Sequence, residues 1–316
     1  MSRRQDLASR FLGGMVGSAL GDAIGELAFR FRGEAQLRAR IEASEQLVYT
    51  DDTAMAVALA ESLAEVGDVD PRHLGDTFRA HYRREPWRGY ASGPPTIFAL
   101  VERSSLSYLA AARSLFGGQG SFGNGAAMRI APLGLFYHGA PDLYDRARAA
   151  TTVTHAHPIG VDGAAVLARA IGLAVELDPA QGFSATFLAR ELVEYARTPE
   201  LKQKLEVVQE LLAGDASPAT VAGELGRSVA MHESLPFALY AFLRYPQSFE
   251  ACLFCAILNG GDRDTLGAMA CAVSGAYLGI EAIPPAWRAR LENREHIEEL
   301  ALKLADRAAA RSRPPT

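Results

Sequence analysis

The chain has 316 residues, of which 49% are hydrophobic and 22% charged, with a formal net charge of -5. That is an ordinary globular composition with ample material for a core. The charge argues against nucleic acid as the main partner, since neutralising phosphates needs a concentrated basic surface, and acids interrupt the basic runs 79–88 and 288–294.

The opening residues Met1 to Asp6 are too polar for a signal peptide, and no apolar run approaches the ~20 residues that span a bilayer. A cytoplasmic monomer with no membrane contact is expected. From Leu7 to Ile24 the pattern predicts a helix rich in Gly and Ala. Glycine costs roughly 1 kcal/mol in a helix, so this one must be packed closely on several sides. Residues 29–47 read as a loop or a short helix. Helices are predicted over Ala54–Val66 and from Pro71, a first-turn proline, to Tyr82. Glu85 to Pro95 is a long connection carrying Trp87 and Tyr90, of the kind that is often functional.

Further helices are predicted over 96–101 and 107–115. The most glycine-dense stretch, Gly117 to Gly125, follows. Helices then continue over 126–136, 143–153, 159–174, 185–195, 201–212, 219–226, 236–244, 249–258, 266–278 and 293–310. Few segments alternate with period two. The sequence therefore predicts one compact all-α, multi-helix domain over 1–311, followed by a polar tail at 312–316.

Three constellations carry chemistry. Tyr49-Thr50-Asp51-Asp52-Thr53 and Gly260-Gly261-Asp262-Arg263-Asp264-Thr265 each stand directly before a helical run. Either alone reads as a helix cap with solvated acids, favoured by the macrodipole. As a matched pair, four carboxylates with flanking hydroxyls suit Mg²⁺, which prefers oxygen ligands and would offset their repulsion. The second constellation, Gly118-x-Gly120-x-x-Gly123, formally matches the dinucleotide fingerprint. It lacks the preceding strand and βαβ unit, so a Rossmann site is rejected. Its backbone N–H groups could still form an anion nest ahead of a helix starting at Ala126, or the stretch is a surface loop.

The third is Thr154-His155-Ala156-His157-Pro158. These rings read as ligand-stacking groups or as capping and packing groups rather than metal ligands. His232 and Glu233 mark a helix start. Cys252 and Cys255 form a C-x-x-C, but with Cys271 they lie in apolar surroundings and read as one buried helix face. A prenyl-diphosphate enzyme is disfavoured because Asp51-Asp52 is followed by Thr53-Ala54-Met55, without a third aspartate.

Taken together, Gly21-Asp22-Ala23-Ile24-Gly25, Tyr49–Met55, Arg88-Gly89-Tyr90, Gly120–Arg129, Thr154-His155 and Gly260–Gly279 resemble the ADP-ribosylglycohydrolases, in order and over nearly the whole chain. Arg88-Gly89-Tyr90 and the glycine loop look closest to the branch acting on ADP-ribosylserine, poly(ADP-ribose) and O-acetyl-ADP-ribose. The resemblance implies an all-α hydrolase with two Mg²⁺ ions, cleaving ADP-ribose from a protein or other acceptor. It implies Thr50, Asp51, Asp52, Asp262, Asp264 and Thr265 as metal ligands, and Asp51, Asp52 and Asp264 as catalytic carboxylates. Gly120, Ser121, Phe122, Gly123 and Asn124 match the diphosphate loop, while Phe116 and His155 match the lining of the ADP-ribose site.

Two departures stand out. Arg263 occupies a position where the family usually has a small hydroxyl residue; an inward guanidinium would compete with the second Mg²⁺, and an outward one would be a surface residue with little effect. Phe29 occupies the place of a gating glutamate, for which Glu26 and Glu34 are the candidates. These departures motivate the alternative expectation of a non-catalytic ADP-ribose-binding or structural relative.

Overall fold

The computed structural model describes residues 3–311, with side chains described from Asp6 onward; the expected tail at 312–316 lies outside the described residues. In chain order the helices are α1 (Arg3–Ala28), α2 (Glu34–Ala43), α3 (Asp51–Val66), α4 (Pro71–Arg84), α5 (Gly93–Arg103) and α6 (Tyr108–Gly118). Then come α7 (Ala131–Phe136), α8 (Leu143–Thr151), α9 (Pro158–Glu176), α10 (Ala185–Tyr195), α11 (Pro199–Leu212) and α12 (Pro218–Leu225). The chain closes with α13 (Met231–Arg244), α14 (Phe249–Leu258), α15 (Arg263–Leu278), α16 (Pro285–Arg290) and α17 (Arg294–Arg311). Sheet pairing among the described residues is confined to isolated bridges, Leu47 with Leu291 and Gly123 with Ala230. The all-α, single-domain expectation holds.

Helix α1 is the spindle, and α15 lies against it backbone to backbone. A methyl group built on Gly21 would stand 2.1 Å from the Gly267 carbonyl oxygen, and one on Gly13 2.2 Å from that of Gly275. The glycines of α1 recur every fourth residue, which places them on one helix face. Their partners on α15 run in the reverse order, so the two helices are antiparallel. Close packing of this kind offsets the glycine cost anticipated from the sequence. Helices α3, α7 and α17 pack on α1, while α9, α13 and α14 pack on α15.

Local chemistry sets the helix ends. Asp70 accepts from the N–H groups of Arg72 and His73 ahead of Pro71, and Gly67 closes α3 in the left-handed conformation with φ 79°. The helix expected over 126–136 does not form as one piece. A single 3-10 turn spans Asn124–Ala126, and α7 begins only at Ala131. Pro132 lacks an N–H and sits in the first turn of α7, where that donor is not needed. Helix α13 starts at Met231, so Pro236 lies inside it rather than opening it. The short α16 was not anticipated. Contrary to the expectation about apolar runs, α9 is long and apolar enough to cross a bilayer by length and composition. With 78% of that window buried inside the protein, it serves as a core helix. All three cysteines are free and buried.

Candidate functional site

The N-terminus of α3 is held by a residue that sequence reasoning missed. Asp22, fully buried on α1, accepts from the Thr50 N–H (3.1 and 3.0 Å to its two oxygens) and the Thr50 hydroxyl (2.9 Å). It also accepts from the N–H and hydroxyl of Thr53, at 3.0 and 2.6 Å. Burial raises its carboxyl to about 6, against the pull of these donors. Thr50 in turn caps α3 through Asp52 N–H at 3.3 Å. Asp51 and Asp52 are thereby fixed at the helix start, and neither has to serve as the cap.

The α1–α15 seam brings the second acidic stretch to the same place. Asp262 is the N-cap residue of α15, but its side chain makes no cap bond. One of its oxygens instead accepts from Asn124 Nδ2 at 2.7 Å, which ties the glycine loop to the acidic centre. Burial, then the Asp22 charge, raises Asp51 to about 7. Burial and the charge of Asp262 raise Asp264 to about 8. Asp52 is pushed well above the carboxylate range by burial, then by Asp264, Asp22, Asp51 and Asp262. Carboxylates that penalise one another across two distant stretches share one site; they are not independent caps.

The donor set fits a hard divalent cation in charge and type. Asp52 Oδ2 is buried without any hydrogen-bond partner, and an orphaned buried carboxylate oxygen is costly unless a cation or donor meets it. Among the described residues, no three His, Cys, Asp or Glu side chains stand gathered in ligating geometry. The residues that could hold a metal here are Thr50, Asp51, Asp52, Asp262, Asp264 and Thr265. Cavities of about 600 and 500 Å³ lie elsewhere, one lined by Arg38 and Phe254 and the other by Glu61 and His81. The chemistry points to the carboxylates rather than to either cavity.

The glycine loop is braced from several sides. The N–H groups of Gly120 and Asn124 bond to the carbonyls of Leu115 and Val229, at 3.0 and 2.9 Å. The Gly123 N–H bonds to Ser121 Oγ at 3.1 Å. Three donors expected of an anion nest are therefore engaged internally, and the expected α-helix at Ala126 is absent. Phe116 projects from a kink at the end of α6 in the left-handed region, φ 52° and ψ 49°, and is 63% exposed. Non-glycine residues reach that region only under constraint, often at ligand sites. Phe122 is exposed and packs edge-on against His157 at 5.4 Å.

His155 is buried against the loop. A Cβ at Gly125 would lie 2.9 Å from its Nε2, so only glycine fits there. Thr154 Oγ1 accepts from Arg129 at 2.7 Å and meets His155 Nδ1 at 2.8 Å. Thr154 Oγ1 thus holds the guanidinium and the imidazole together and fixes the ring beside the loop. Burial, then the Arg129 charge, lowers His155 to about 3, so the ring is neutral. His157 instead caps α9 through Ile159 N–H at 3.2 Å.

Arg129 is the second residue missed. It is fully buried over the Phe78 ring at 4.7 Å. Burial lowers it to about 9 while the Asp51 charge pulls it back up.

Arg263 neither enters the acidic centre nor lies on the surface, as the two expectations had it. Its buried guanidinium donates to the Ile257 carbonyl near the end of α14. The structure brings Glu26 to the site, half-buried and close enough to raise Asp264. It does not bring Glu34, which pairs with Arg38 at 2.9 Å beside the larger cavity. Phe29 is 39% exposed at the end of α1.

Comparison with known proteins covers almost the whole chain. The family model described as ADP-ribosylglycohydrolase matches residues 3–314. The human protein named ADP-ribosylhydrolase ARH3 is 33% identical, over 94% of this chain and 93% of its own length. The mouse protein of the same name is also 33% identical, over 94% of this chain and 91% of its own. A solved structure titled "ADP-ribosylglycohydrolase-related protein complex" superposes with a TM-score of 0.73 at 28% identity, covering 96% of this chain and 99% of that one.

Proposed function

The chain belongs to the ADP-ribosylglycohydrolase family, and we propose that it hydrolyses the bond between ADP-ribose and an acceptor. The observation that carries this reading is the buried, unpartnered oxygen of Asp52 amid carboxylates that raise one another. In this reading Thr50, Asp51, Asp52, Asp262, Asp264 and Thr265 hold two Mg²⁺ ions. Bound there, Mg²⁺ supplies positive charge that orients ribose hydroxyls and makes a water more acidic.

The protein's own residues do the rest. The exposed rings of Phe116 and Phe122 offer stacking faces for the adenosine end. The braced glycine loop positions the diphosphate through the N–H groups of Ser121 and Phe122, which make none of its internal bonds, with the His155 ring beside it. Burial raises the half-buried Glu26 carboxyl, opposed by Arg30, and its place beside Asp264 suits it to exchange a proton with the attacking water or the leaving acceptor. Charge developing on the anomeric carbon is stabilised by the surrounding carboxylates.

The resemblance of Arg88-Gly89-Tyr90 and the glycine loop supports the branch that acts on ADP-ribosylserine, poly(ADP-ribose) and O-acetyl-ADP-ribose. Three free buried thiols are compatible with a cytoplasmic setting, which we include in the reading. The test is release of ADP-ribose from modified protein with Mg²⁺ and with excess EDTA. Turnover that persists in EDTA would refute the metal mechanism. Tight ADP-ribose binding without turnover of serine-, arginine- or acetyl-linked substrates would establish the non-catalytic alternative, which Phe29 at the gate position favours.

A further inference from the structure

The two tryptophans have opposite environments. Trp287 is 7% exposed and packs edge-on against Phe254 at 6.1 Å. Trp87 is 72% exposed, on the connection between α4 and α5. An indole left in water forgoes a large burial gain, and such residues concentrate at recognition surfaces.

The loop that carries Trp87 is firmly anchored. The Arg88 carbonyl accepts from Asp51 N–H at 2.9 Å. The Arg88 guanidinium donates to Glu292 at 2.7 and 3.0 Å, to Glu85 at 2.8 Å and to the Tyr49 carbonyl at 3.0 Å. Next along, Gly89 lies beside the Asp51 carboxylate, where a Cβ would stand in ordinary contact at 3.5 Å from Oδ1, and its φ of 100° is what favours glycine there. The indole is thus presented from a fixed backbone, two residues from a contact with the acidic centre. Its flank of that centre is set by Asp51, whereas the glycine loop reaches the centre through Asp262. The Trp87 loop and the glycine loop therefore meet the acidic centre through different aspartates.

We propose that Trp87 is a specificity residue for the acceptor, and that the acceptor is a polypeptide. A peptide segment next to the modified side chain lies across the indole, with an amide plane on its face and a carbonyl accepting from Nε1–H. A small acceptor has nothing to place there. The inference rests on the hydrolase reading above.

The experiment compares wild type, Trp87→Ala and Trp87→Phe on an ADP-ribosylated peptide and on O-acetyl-ADP-ribose, with ADP-ribose affinity measured by calorimetry. Trp87→Ala is expected to lower kcat/KM for the peptide about tenfold, mainly through KM, the scale of losing an interfacial aromatic. Hydrolysis of the acetyl ester and affinity for ADP-ribose should change less than about twofold. Trp87→Phe, which keeps the ring face and loses the N–H, should fall between. In wild type, the peptide should blue-shift the tryptophan emission and ADP-ribose alone should not. Equal losses on both substrates, or no loss on the peptide, would overturn the inference. Absence of ADP-ribose binding by wild type would overturn the hydrolase reading itself, whereas normal binding with an indifferent Trp87 overturns this inference alone.

Discussion

A single oxygen of Asp22 accepts both the N–H and the hydroxyl of Thr53, at 3.0 and 2.6 Å, while Thr50 donates twice more to the same carboxylate. Asp22→Asn would turn an acceptor-only group into one that presents an N–H₂ to these donors. An unsatisfied buried group costs about 1–3 kcal/mol. The variant should therefore lose about 2–3 kcal/mol in urea unfolding, and its Mg²⁺-dependent rise in Tm should shrink. An unchanged Mg²⁺ response would show that Asp22 does not position the α3 terminus.

Arg263 makes a separable prediction. Its guanidinium bonds to the Ile257 carbonyl and is not among the largest influences on Asp51, Asp52 or Asp264. Arg263→Ser should cost about 1–2 kcal/mol of stability through the lost buried bond. Mg²⁺ affinity by calorimetry should stay within about twofold. A large gain in Mg²⁺ affinity would mean that the arginine competes with the metal after all.

The glycine seam can be tested against an internal control. Gly21→Ala drives a methyl to 2.1 Å from the Gly267 carbonyl, and should lower unfolding free energy by about 3 kcal/mol or more. Gly223, inside α12, has open space where a Cβ would sit. Gly223→Ala should raise stability by about 0.5–1 kcal/mol, chiefly by restricting the unfolded chain. Similar losses from both would exclude the seam as the cause.

What could be read from the sequence was whatever depends on neighbours in the chain. Thr50 before a helical run, the small-residue face of α1 and the glycine density at 117–125 all signal locally. Asp22 could not be read this way. It sits among Gly and Ala in a helix, and its task is defined by Thr50 and Thr53 across a tertiary contact. The direction of Arg263 depends on the free carbonyl at Ile257, which exists only once α14 ends. Glu26 and Glu34 were indistinguishable until Arg38, one turn after Glu34, claimed that carboxylate. The break before α7 was legible in principle, since Pro132 disfavours a helix running through from Ala126.

Glu61 provides a pH-dependent tie away from the site. It joins α3 to α4 through His81 at 2.7 Å and to α17 through His296 at 2.8 Å. Burial raises its pKa, but bonds and charges from the two histidines outweigh that and hold it at about 2, against 4.5 for a free glutamate. A carboxyl depressed in the folded state contributes its stability above the unfolded value, and loses it as pH falls through the folded one. The wild type minus Glu61→Gln difference in unfolding free energy should therefore be full above pH 4.5 and shrink as pH falls toward about 2. A difference that does not vary over this window would remove the histidine tie as its origin.

The contact between α1 and α15 also fixes when the centre can exist. Ribosomes deliver α1 first and α15 only after most of the chain has emerged, and contacts between such remote segments form late because closing the intervening loop costs entropy. Until then Asp51 and Asp52 have no counterpart, and the glycine face of α1 stands bare. A chain that stops short of α15 therefore carries Thr50, Asp51 and Asp52 without the Asp262 and Asp264 carboxylates that act on Asp52 in the folded protein.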